Sequence, residues 1–70
     1  MKIIETRGFV INGRQYKSIA EQKNGALTAR VMDVQTDSVL LFHEYGRETM
    51  KTALNKIEAE YRALPRVLRV

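Results

Sequence analysis

Apolar and polar residues alternate through three successive stretches of the chain, and Asn-Gly pairs at 12–13 and 24–25 separate them. Alternation with a period of two marks a strand with one buried face. Asn-Gly is the strongest short-range hairpin signal, because a type I′ turn needs positive φ at both central residues. The pattern predicts strands over 2–11, 14–23 and 26–34, with a bulge at Gly8, where no Cβ resists that geometry. Gln35-Thr36-Asp37-Ser38 is polar and turn-forming, and the apolar, aromatic run 39–45 predicts a fourth strand. Gly46 breaks that strand. Met50, Ala53, Leu54, Ile57, Tyr61 and Leu64 then recur at spacings of three and four, which predicts a helix over 47–64 with one apolar stripe. Pro65 ends it, because the residue before a proline is pushed out of helical geometry. The expected architecture is α+β, a four-stranded antiparallel β-meander packed on one C-terminal α-helix. It forms a single domain over 1–70, with 65–70 expected as a mobile tail.

Two-residue turns make the pairing countable. Ile11 is expected opposite Arg14 and Phe9 opposite Tyr16; Ala20 faces Ala29 and Ser18 faces Val31. A tight third turn at Thr36-Asp37 sets Val31 against Phe42 and Asp33 against Leu40. Phe9, Ile11, Tyr16, Ala20, Leu27, Ala29, Val31, Leu40 and Phe42 then share the face under Met50, Leu54, Ile57 and Tyr61. The opposite face carries Lys17, Ile19, Glu21, Lys23, Thr28, Arg30, Met32, Val34, Val39, Leu41, His43 and Tyr45. One helix covers only one face of a sheet. An uncovered face with a contiguous apolar patch marks an interaction site.

A chain of 70 residues buries only about 60% of the surface its unfolded form exposes, so self-association or a partner is a natural aid. With no cysteine, disulfides and thiolate metal sites are excluded, and one histidine builds no imidazole site within a chain. No signal peptide or spanning stretch is read, so the expected setting is cytoplasmic, the host cytoplasm if a phage encodes the chain. Net charge +4 suggests an anionic partner, or serves solubility alone.

Catalytic chemistry is sparse. His43 and Glu44 are strand neighbours and point to opposite sides. Thr36-Asp37-Ser38 needs no explanation beyond a turn, and Glu58 and Glu60 read as a solvated helix face, with Glu58 spaced to pair with Arg62. No phosphate loop, zinc spacing or nucleophile elbow occurs. The reading is a binding protein with no cofactor, no metal, no small-molecule substrate and no membrane partner.

Asn24-Gly25 followed by Ala29-Arg30-Val31 and Val34, with Met1-Lys2 and Ile4 opening the chain, resembles small phage-encoded anti-CRISPR proteins built from an antiparallel sheet backed by helix. Where that family presents tyrosines and carboxylates to its target, this chain has no counterpart, and a second helix is missing. The resemblance implies a phage or mobile-element inhibitor that blocks a bacterial nucleic-acid-handling complex, a protein or ribonucleoprotein. The candidate partner-binding residues, from the face count, are Lys17, Ile19, Arg30, Met32, Leu41, His43 and Tyr45, and a homodimer is a further use of that face. The alternative is DNA binding, because the sheet-then-helix order also resembles the arm-binding domains of phage integrases. Arg14, Lys17, Lys23, Arg30 and His43 would then contact nucleic acid.

Overall fold

The computed structural model describes residues 2–65; Met1 and the tail 66–70 lie outside the described residues. Four strands, β1 (Lys2–Ile11), β2 (Arg14–Lys23), β3 (Ala26–Asp33) and β4 (Ser38–Tyr45), form one antiparallel sheet in the order β1-β2-β3-β4, followed by α1 (Met50–Ala63). The ββββα meander is therefore the one expected. Both Asn-Gly turns have positive φ at each central residue, 49° and 82° at Asn12 and Gly13 and 51° and 79° at Asn24 and Gly25. They set Ile11 opposite Arg14, Phe9 opposite Tyr16 and Ala20 opposite Ala29, as counted. Gly8 pairs regularly with Lys17, so β1 has no bulge. The third turn differs. Asp33 pairs with Ser38 across a four-residue loop, with Asp37 in the left-handed region at φ 57°.

The loop moves the partner of Asp33 by two residues from the expected Leu40, which keeps the faces, and a bulge just beyond leaves the rest of β4 one residue from the expected pairing. Val31 faces Leu41, Arg30 faces Phe42 and Ala29 faces His43. The next pair is Met32 with Val39, so Leu40 is an extra residue, a β-bulge, and both Leu40 and Leu41 pack against the core. A one-residue slip exchanges faces. Leu41, His43 and Tyr45 consequently lie on the helix side, and Phe42 and Glu44 take the open side.

Asp33 fixes where the loop begins. Its side chain has no exposed surface; Oδ2 accepts Arg14 Nε at 2.9 Å and also bonds Arg14 Nη2, while Oδ1 accepts the Gln35 N–H at 2.9 Å. The Asp33 carbonyl accepts the Asp37 N–H at 2.8 Å. An aspartate that bonds the backbone two residues on starts a turn where it stands. β3 therefore stops at Asp33 rather than at Val34.

α1 begins later than its apolar stripe alone suggested. Thr49 is the N-cap, with its hydroxyl accepting the Thr52 N–H at 3.1 Å, and 47–48 precede the helix. A threonine oxygen satisfies an orphan N–H that Arg47 cannot. At the other end Leu64 is extended, at φ −64° and ψ 142°, as its place before Pro65 requires.

The helix lies over β2 and β3. Ala20, Ala29 and Ala53 are buried where it approaches, and Leu54, Ile57 and Tyr61 are buried beside them. Phe9, Tyr16 and Tyr61 form an aromatic cluster with ring centroids 5.1–6.5 Å apart. Fully burying side chains of this size contributes about 1.5–3 kcal/mol each. Glu58 is not on a solvated face. It accepts the Ser18 hydroxyl at 2.9 Å and Arg7 Nη1 at 3.2 Å, while Arg7 Nη1 also reaches Asn55 Oδ1 at 2.6 Å. Ser18 is buried on the helix side of β2, and its hydroxyl requires such partners. Arg62 stacks over the Phe9 ring at 5.2 Å instead of pairing with Glu58.

The two sides of the sheet predict opposite sensitivities. Ile57→Ala is expected to cost about 2–5 kcal/mol, and Phe42→Ser to stay within about 0.5 kcal/mol of the parent, both read by urea denaturation. A large loss at Phe42 would contradict the β4 register.

Candidate functional site: the open face of the sheet

Register places side chains of the uncovered face in rows across the strands. Thr6, Ile19, Arg30 and Phe42 make the central row. Gly8, Lys17, Met32 and Val39 lie on one side of it, and Ile4, Glu21, Thr28 and Glu44 on the other. Phe42 is 54% exposed and Val39 55%, and Ile4, Val10 and Val34 are also exposed. These apolar groups surround a centre that is already closed. Ile19 is only 7% exposed although no helix among the described residues covers it. Its neighbours along and across the strands include Lys17, Glu21 and Arg30, whose aliphatic stems shield apolar surface while their charged ends stay wet.

Gly8 leaves a gap in this face. A depression of about 370 Å³ lies there, lined by Thr6, Gly8, Val10, Gln15, Lys17 and Val34 among others. Apart from Gly8 and its chain neighbours, no described heavy atom stands within 4 Å of where a Gly8 Cβ would be.

The charges on the face are largely engaged with one another. Lys17 Nζ stands 3.6 Å from Asp37, and Glu21 is 3.8 Å from both Lys2 and Arg30. Such exposed pairs contribute little to stability, about 0–1 kcal/mol each. Their effect is to neutralise the cations that stand between the exposed apolar groups. Lys23, at the second Asn-Gly turn, has no ion-pair partner among the described residues.

Of the residues expected to meet a partner, Lys17, Ile19, Arg30 and Met32 come together on this face. Leu41, His43 and Tyr45 do not. His43 Nε2 is 3.1 Å from Glu60 of α1 and its ring lies 5.3 Å from that of Tyr45. Burial, with Glu60 and Glu48 close by, pushes the Tyr45 phenol up to about 12. Of the residues expected to meet nucleic acid, Arg14 and His43 are on the helix side, and only Lys17, Lys23 and Arg30 share the open face. Phe42, the largest exposed apolar side chain there, was missed. Val39-Leu40-Leu41-Phe42 is apolar throughout, so alternation carries no parity in β4 and leaves no signal of the bulge at Leu40.

Among the described residues no group of three or more His, Asp or Glu side chains could hold a metal ion, and no helix is long and apolar enough to cross a membrane. Compared with protein-family models, curated proteins and solved structures, the chain matches none.

Arg14 holds the Asp33 carboxyl below its usual 3.8, and the Gln35 N–H adds to this. A carboxyl with a depressed folded pKa contributes stability that is complete above the unfolded value and lost as pH falls through the folded one. Urea midpoints of the wild type are therefore expected to fall below pH 4 more steeply than those of Asp33→Asn. Equal acid slopes would show that this bond does not couple to folding.

Proposed function

We propose that the protein is a non-catalytic binding module that lays the open face of its sheet on another protein and blocks it. The reading follows the small phage-encoded inhibitors that the first half of the sequence resembles, whose targets are bacterial nucleic-acid-handling complexes. The observation that carries it is the composition of the face: Phe42, Val39 and Met32 are grouped toward β4 and Ile4 stands on β1, while the cations between them are already paired with carboxylates. Exposed apolar side chains grouped beside neutralised charge mark a surface for a protein partner. The partner surface it fits is apolar opposite Phe42, Val39 and Met32 and carries both signs of charge beside Lys17, Glu21 and Arg30.

A nucleic-acid groove asks for something else. Phosphate contacts need cations that release counterions, and base edges need Arg, Asn or Gln at the centre of the reading surface. Here Arg14, Lys17 and Arg30 are paired with Asp33, Asp37 and Glu21, and no Asn or Gln stands in the rows of the face that carry Lys17, Arg30 and Glu21.

The test is phage plaquing on bacteria with an active CRISPR-type defence that express the chain. Wild-type chain is expected to restore plaquing, and Phe42→Glu combined with Met32→Glu to lose it with far-ultraviolet circular dichroism unchanged. Central contacts of this kind carry about 2 kcal/mol or more of binding. Unchanged plaquing with the wild type would sink the inhibitor reading, and full activity of the double variant would move the contact off this face. Duplex DNA anisotropy is expected to show no micromolar binding; binding that declines linearly in log salt would reinstate the DNA reading.

A further inference from the structure

The geometry points to a second interaction surface, the free edge of β1, and to a second copy of this chain as its occupant: two β1 strands pair antiparallel about a two-fold axis at Thr6, joining two sheets into one. The inference is independent of what the open face binds.

β1 runs ten residues without a proline, bulge or register shift, and its outer side pairs with nothing among the described residues. An edge of this kind is a template for another strand. The opposite edge, β4, is shorter and carries the bulge at Leu40, a device that ends strand pairing.

Hydrogen-bond direction limits the registers. Ile11 and Arg14 flank a two-residue turn and so exchange main-chain bonds with each other. Alternation then turns Phe9, Arg7, Glu5 and Ile3 toward β2, and the Ser18 hydroxyl indeed bonds the Arg7 carbonyl at 3.3 Å. Lys2, Ile4, Thr6, Gly8 and Val10 point their N–H and C=O groups outward. Two copies can bond only if these residues meet one another, which puts the two-fold on a residue.

Side chains choose among the remaining registers. An axis at residue 5 sets Glu5 on Glu5, and one at residue 7 sets Arg7 on Arg7; like charges directly opposite destabilise a pair. An axis at Thr6 sets Glu5 of each copy opposite Arg7 of the other. Glu5 is exposed and has no ion-pair partner among the described residues, while Arg7 uses only Nη1 toward Asn55 and Glu58. Thr6 then meets Thr6, a favourable cross-strand pair. Ile4, 50% exposed, stands opposite Gly8 of the second copy, beside the depression that Gly8 leaves, and Ile3, 45% exposed, lies beside the second Phe9. Among the axes at residues 5, 6 and 7, charge and shape favour the one at Thr6.

Sedimentation of the wild type at tens of micromolar is expected to give twice the 8.1 kDa chain mass. Thr6→Pro removes an outward N–H that the monomer does not use. It is expected to weaken the dimer about tenfold or more with an unchanged circular dichroism spectrum. A monomeric wild type, or a folded Thr6→Pro chain that dimerises as before, would overturn the proposal. Should Thr6→Pro unfold, single-cysteine chains decide. Residues in a bonded antiparallel pair have Cα atoms about 5.5 Å apart, within the span of a disulfide. Thr6→Cys is expected to form covalent dimers on mild oxidation and Val10→Cys to remain unlinked; equal linking of both, or of neither, contradicts a two-fold at Thr6.

Discussion

A single carboxylate, together with the bulge that follows it, governs how this chain presents its fourth strand. Asp33 ends β3, bonds Arg14 from the neighbouring strand, and starts the loop into β4 through the Gln35 N–H. Loop length sets strand register, and register sets which side chains face outward. With the loop closed from Asp33 to Ser38 and Leu40 bulged two residues further on, Leu41 goes under the helix and Phe42 goes to the surface. Burial makes the choice firm. An aspartate with no exposed side-chain surface is tolerated only with its bonds complete, and a slipped strand would leave them unmade.

The helix side shows the same economy. Ser18 and Glu58 are polar groups within an apolar layer, joined to each other and to Arg7. Hydrophobic contact alone would let α1 slide along its stripe; these bonds fix it against β1 and β2. Because α1 lies over the middle of the sheet, the first half of β1 stays exposed. Residues 2–6 are open to solvent on both sides, which is why the open face and the β1 edge are both available.

The fold was legible wherever local chemistry had one answer. Asn12-Gly13 and Asn24-Gly25 admit one turn type, so the first three strands pair as counted. The stripe from Met50 to Leu64 and the stop at Pro65 located the helix, although Thr49 moved its start. The candidate site was half legible. Lys17, Ile19, Arg30 and Met32 hang on the Asn-Gly turns and were placed correctly. Leu41, His43 and Tyr45 lie beyond the bulge at Leu40, and in the apolar run Val39-Leu40-Leu41-Phe42 nothing local marks one residue as extra. The third turn is anchored by Arg14, nineteen positions earlier than Asp33. That long-range ion pair has no periodic trace.

Nearest-neighbour strand order also has a kinetic meaning. Every strand pairs only with the one before or after it in the chain, so each step of sheet assembly closes a short loop, and short loops cost little entropy. Hairpins of this kind form in about 1–10 μs. Either Asn-Gly turn can nucleate the sheet, and growth from one feeds the other through β2. The helix needs β1, β2 and β3 already together to find its polar and apolar contacts. Folding is therefore expected to run from the turns outward and to finish with the helix, leaving both sheet faces briefly open before one of them is closed.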